Sequence, residues 1–206
     1  MAMAHPKEAV TANEAAAITR VPLKQVHRIV DAGLLGDRVR RKAGKRLIEA
    51  NALVPLFVAY RTADVLTPEA RRMLVETAGE SNQRQVRIDD LVIVDLASVS
   101  AEVKKGLGAL ERAAAMVTID PKVMGGASCI RGTRIPVHDI AEMLANGDAP
   151  QKVLVAYPRL KPEQLELAQI YAQAYPRRGR PAGKATWRGA EPKASGAAKL
   201  SDLPAA

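Results

Sequence analysis

The chain has 206 residues, 48% of them hydrophobic, enough to build substantial cores, and its 3% aromatic content beside abundant Ala, Leu, Val and Ile favours helical packing over a β-sandwich. A single cysteine, Cys129, excludes an internal disulfide and a cysteine-based zinc site; no apolar run approaches the ~18 residues of a membrane span, so a cytoplasmic protein without membrane contact is expected. The net charge of +9 is concentrated, with nine Lys/Arg against two acids in residues 20–46 and seven against two in residues 176–206, which points to local acidic partners, nucleic acid first among them.

Thr11 is placed to cap a helix, with Glu14 completing a capping box and Ala15, Ala16, Ala17 and Ile18 following. Pro22 suits the first turn of a second helix, Leu23 to Ala32, with Val26, Ile29 and Val30 on one apolar face and Gly33 as its stop. Two basic stretches then flank Ala43-Gly44, the pattern of a β-hairpin wing from Asp37 to Ile48. Helices are predicted over Glu49 to Thr62 and over Pro68 to Ala78, the latter capped by Thr67, which makes residues 1–80 a winged helix-turn-helix unit.

Gly79 to Arg84 reads as a loop, Leu91 to Leu96 as a strand, and Ser98 to Met116 as a long helix despite Gly106 and Gly108, so that residues 81–116 connect two halves. Val117 to Val137 is turn-rich and extended. Helices follow near Val137 to Asn146, Pro150 to Tyr157 and Pro162 to Tyr175, a three-helix, helix-turn-helix-like unit over 117–175. Residues 176–206 are rich in Pro, Gly, Ala, Lys and Arg without amphipathic pattern, the composition of a tail disordered on its own. The fold class read from the chain is mainly α.

On the second helix, Lys24, Gln25, His27 and Arg28 occupy the face left when the apolar residues turn inward. Arg and Lys engage guanine edges or phosphates and Gln pairs with adenine, as a helix reading the major groove requires. Arg38, Arg40, Arg41, Lys42, Lys45 and Arg46 of the wing then lie against phosphates. The competing reading of these residues is a solvated basic face. Residues 135–175 differ, with three Lys/Arg against five Asp/Glu, which suits assembly better than duplex binding; a dimer, matching a palindromic operator, is expected. Ile140, Met143, Leu144, Val153, Leu154, Leu165 and Tyr171 fit a core at helical spacing. Arg131 and Arg134 suit either an anion site or anchors for backbone carbonyls. Cys129 has no base in sequence and His5, His27 and His138 are scattered, so no catalytic residue, metal or cofactor is expected.

The run from Ile119 to Val137 has three glycines and two prolines, a rigidly turned backbone. With its Asp-Pro, its Gly-Gly, the block Cys129-Ile-Arg-Gly-Thr-Arg-Ile-Pro-Val137, then Tyr157-Pro158 and a last helix over Leu160 to Ala172, it closely resembles the bacterial family called domain of unknown function 433. The front, including Leu91 to Ala115, is similar to the DNA-binding helix-turn-helix found ahead of this domain in antitoxins of VapB-type toxin–antitoxin pairs. The resemblance implies an antitoxin that neutralises a PIN-like ribonuclease toxin and represses its own operon by binding operator DNA, as a homodimer within a larger toxin–antitoxin complex. Such a nuclease gathers carboxylates around a divalent metal, so Arg177, Arg178, Arg180, Lys184 and Arg188 of the tail suit those acids, with Trp187, Leu200 and Leu203 as apolar anchors. The competing reading of the tail is a solubilising linker. The competing reading of the chain is a stand-alone MerR-like transcriptional regulator without a toxin.

Overall fold

The computed structural model describes residues 8–42, 44–80, 84–88 and 92–177, and these residues are mainly helical. Helix α1 (Ala12–Thr19) opens on the capping box: Thr11 Oγ1 accepts from the Glu14 backbone N–H at 3.3 Å, and the Glu14 carboxylate accepts from the Thr11 backbone N–H at 2.8 Å. Arg20, with φ 56, turns the chain; Val21 is buried, and Pro22 precedes α2 (Leu23–Asp31), which buries Val26 and Ile29. Beyond a short helical turn at Gly36–Arg38, β2 (Val39–Lys42) and β3 (Lys45–Glu49) form the expected antiparallel hairpin. A third strand, β1 (Ala9–Thr11), pairs with the other edge of β3 and sets Val10 opposite Ile48. Nothing in the sequence predicts it, because three residues carry no alternation of their own.

Helices α3 (Leu53–Arg61) and α4 (Pro68–Glu80) follow, and α4 runs two residues beyond the expected Ala78. Its Gly79 is a place of close approach, where an added Cβ would overlap the Arg38 guanidinium. Strands β4 (Gln85–Arg87) and β5 (Ile93–Asp95) pair antiparallel, and the Asp95 carboxylate, accepting from the Ala97 N–H at 2.9 Å, caps α5 (Leu96–Met116).

Helix α5, 21 residues and so ~31 Å long, is shared by three hydrophobic clusters. Leu96 packs with Val58, Leu74 and Val86; Val103 and Leu110 join the core of α1, α2 and α3; Ala113 and Met116 join the core of the last helices. One packed unit therefore extends through Pro176 and takes in all three segments ahead of the tail. Gly106 explains how α1 reaches α5: a Cβ at that position would overlap the Ile18 carbonyl oxygen and lie 3.2 Å from its Cα. A glycine inside a helix is costly unless a neighbouring backbone needs the space.

Strands β6 (Val117–Ile119) and β7 (Ser128–Ile130) pair antiparallel, and α6 (Val137–Ala145), α7 (Pro150–Ala156) and α8 (Pro162–Ala174) begin where the sequence predicts. Ile130, Val137, Ile140, Val153, Leu165 and Tyr171 form their core. Helix α8 also faces forward: Ala174 is buried in the α1–α3 cluster, Arg20 pairs with Glu166 at 3.4 Å, and the Tyr175 hydroxyl donates to Glu14 Oε1 at 2.9 Å. Glu14, only 4% exposed, thus takes hydrogen bonds from the cap of its own helix and from the end of α8. No described helix is long and apolar enough to cross a membrane.

Candidate nucleic-acid interface

With Val26 and Ile29 turned into the core, α2 leaves Lys24, His27, Arg28 and Asp31 exposed and Gln25 half-buried. Positions 24, 27, 28 and 31 follow the helical repeat, so these four side chains make one stripe. Asp31 closes it at the C-terminal end, where its carboxylate pairs with Arg46 of β3. The hydrogen bond from Arg46, reinforced by the Arg46 charge and by His27, holds the Asp31 carboxyl below its ordinary 3.8.

The hairpin register decides where the other cations go. Val39 opposes Ile48, Arg40 opposes Leu47, Arg41 opposes Arg46 and Lys42 opposes Lys45. Strand alternation puts Arg41 and Arg46 on the face shared with Ile48, which looks towards α2 as the Asp31–Arg46 pair shows. Arg40, Lys42 and Lys45 fall on the opposite face, where Arg40 is held by Glu49. Arg38 does not join the hairpin: it ends the preceding turn, half-buried, with its guanidinium against Gly79 of α4. The structure therefore assembles Lys24, His27, Arg28, Arg41 and Arg46 around one surface, sets Lys42 and Lys45 at the hairpin tip, and leaves Arg38 apart. The acids that hold Arg46 and Arg40 were not foreseen. The facing like charges were available from sequence, since a turn at Ala43-Gly44 places Lys42 against Lys45.

In the back half, Arg131 is an anchor: its Nε–H donates to the Ala115 carbonyl at 3.0 Å at the end of α5, and an Nη donates to the Val117 carbonyl at 3.5 Å. Arg134 is exposed. Burial, and secondarily Asp139, push the Cys129 thiol above its ordinary value, away from the thiolate a nucleophile needs. His138 Nε2 donates to the Tyr175 carbonyl at 2.7 Å and the Tyr171 hydroxyl donates to Ser128 Oγ at 3.2 Å, so the polar groups here tie α6 and β7 to α8 and its end. Of the tail candidates, Arg177 is exposed, while Arg178, Arg180, Lys184, Trp187, Arg188, Leu200 and Leu203 lie outside the described residues.

The family described as "Protein of unknown function (DUF433)" matches residues 117–172, which span β6 to the last turns of α8. Over 186 residues the chain is 32% identical to "Uncharacterized protein y4eO" of Sinorhizobium fredii, covering 84% of this chain and 84% of that protein. No solved structure matches the chain. A relative that is 32% identical and aligned over 84% of both chains means that the chain belongs to the same family as y4eO.

Proposed function

We propose that this chain is the antitoxin of a type II toxin–antitoxin pair. It binds operator DNA through a winged helix-turn-helix made of α1, α2 and the β2–β3 hairpin, and it represses its own operon. It inhibits a PIN-like ribonuclease with its basic tail and assembles as a homodimer through the DUF433 region.

One observation carries the DNA-binding part: Arg41 opposes Arg46 and Lys42 opposes Lys45 in a hairpin that continues the stripe of Lys24, His27 and Arg28. Like charges directly across a sheet destabilise it, and Lys42 and Lys45 have no acidic partner among the described residues to offset this. Contact with a polyanion supplies the compensation, because each cation that neutralises a phosphate releases a condensed counterion. In the same arrangement α2 offers Lys24, Gln25 and Arg28 to base edges while the hairpin lies along the backbone. The toxin-binding part is supported by the cation-rich tail with its lone Trp187.

The test combines two measurements on the full chain. Replacing Arg41, Lys42, Lys45 and Arg46 with Ala should weaken binding to operator and unrelated DNA alike and reduce the slope of log K against log salt by about 2.7, the share of Arg41, Lys42 and Lys45, since Arg46 is held by Asp31. An unchanged slope removes the hairpin from the interface. Co-expression with the product of the adjacent gene should yield a stoichiometric complex, and deleting residues 177–206 should abolish nuclease inhibition while operator binding persists. Full inhibition by the truncated protein assigns the toxin contact elsewhere.

A further inference from the structure

A groove of about 410 Å³ runs where α1, α3, α5 and α8 meet. It is lined along α5 from Glu102 to Arg112, where the Ile18 backbone rests on Gly106, and by Phe57 and Tyr60 of α3 and Leu167 and Ile170 of α8. The four side chains from α3 and α8 are half-buried, so apolar surface lines the groove without being closed off from solvent.

Charge around this groove is unbalanced. Arg20 and Glu166 satisfy one another across it, which leaves Arg61, Lys105 and Arg112 against Glu102. None of these three cations has an acidic partner among the described residues, and Arg61 instead lies 5.8 Å from the centre of the Phe57 ring at the mouth. A trough with apolar side chains from α3 and α8 and an excess of cations among its lining residues complements an apolar body that carries an acid group.

The dimensions narrow the occupant. Ten residue steps of α5 span ~15 Å, so an elongated occupant covers this face where a compact one does not. The chain's own tail does not suit it, since residues 176–206 carry seven Lys/Arg against two acids and share the sign of the rim.

We infer that this groove is a binding site for a slender, free, apolar carboxylic acid of the medium-chain acyl class, held by apolar contact along α5 and by charge at its rim. This inference stands apart from the proposed function, since it is read out by binding alone.

Octanoate and its uncharged counterpart 1-octanol are the probes, titrated into the full chain and followed by methyl NMR. Octanoate should bind saturably at one site, shift the methyls of Val103, Leu167 and Ile170, and bind at least tenfold more tightly than octanol. In the Lys105→Glu, Arg112→Glu double variant that preference should fall to near parity, with the methyls of Ile140 and Val153 unmoved to show an intact fold. Equal binding of the two probes, shifts confined to other residues, or no saturable binding overturns the proposal. So does an acidic amphipathic helical peptide that shifts these methyls where octanoate does not, which makes the groove a protein-docking surface.

Discussion

Residues 20–49 and residues 117–175 are built alike, each with a helix introduced by a proline beside a small antiparallel strand pair: Pro22 leads into α2 next to β2–β3, and Pro136 leads into α6 next to β6–β7. What they do with polar side chains is opposite. In the front, Lys24, His27 and Arg28 stay exposed on α2, and the hairpin tip sets Lys42 against Lys45. In the back, His138 is tied to the Tyr175 carbonyl, Lys152 to Asp148 at 2.9 Å, and Arg131 to the carbonyl of Ala115. Helix packing of one kind thus serves either an outward electrostatic surface or an internally satisfied module, and charge bookkeeping separates the two where backbone geometry does not.

The comparison breaks most completely at the joint between the halves. Gly106→Ala should destabilise the protein by about 3 kcal/mol, because the new Cβ collides with backbone, which cannot give way as a flexible side chain can. The sign is diagnostic, since Gly→Ala inside a helix ordinarily gains about 0.5–1 kcal/mol. Gly108→Ala, where the nearest contact is the tip of Arg112 at 3.6 Å, should show that gain. Urea unfolding of both variants decides it. Equal and stabilising effects would mean that α1 does not rest on α5.

That joint also marks where the sequence stops being informative. The Thr11 and Glu14 capping box, the Pro22 helix start, the hairpin around residues 43–44 and the starts of α6, α7 and α8 are written in residues within four positions of one another, and all appear in the structure. The pairing of β1 with β3, the contact of Arg38 with Gly79 and the reach of Tyr175 to Glu14 join residues far apart in the chain. No periodicity encodes them. Gly106 left a local trace as an interior helix glycine, but so did Gly108, and only the structure separates the one that meets backbone from the one that does not. In the candidate interface the basic residues were legible as a run, but their division between two hairpin faces depended on the register.

A smaller effect tests whether the halves hold each other through the buried carboxylate. Tyr175→Phe removes the hydroxyl that donates to Glu14 and should cost about 1–3 kcal/mol, as expected for a hydrogen bond to a buried polar group. The phenyl ring keeps the tilted contact with Tyr171 at 4.9 Å, so lost packing contributes little. The loss should appear in one cooperative transition followed by both circular dichroism and tyrosine fluorescence. Separate transitions would show the halves unfolding independently despite the shared α5.

The smallest structural change sharpens the electrostatic contrast most directly. Asp31 is exposed, and its folded carboxyl titrates below the ordinary 3.8, so whatever the Arg46 pair adds to stability is fully present above that pH and is lost only as the pH falls through the lower folded value. At neutral pH the carboxylate is ionised and holds a cation on the surface proposed to face phosphate. Asp31→Asn should therefore leave the melting temperature unchanged, while it tightens DNA binding and steepens the salt slope by about 0.9 as Arg46 becomes available. Asp148→Asn breaks the matching exposed pair with Lys152 in the back half and should change neither quantity. If both variants tighten DNA binding alike, the gain follows from net charge alone, and the α2–hairpin surface has no special place in it.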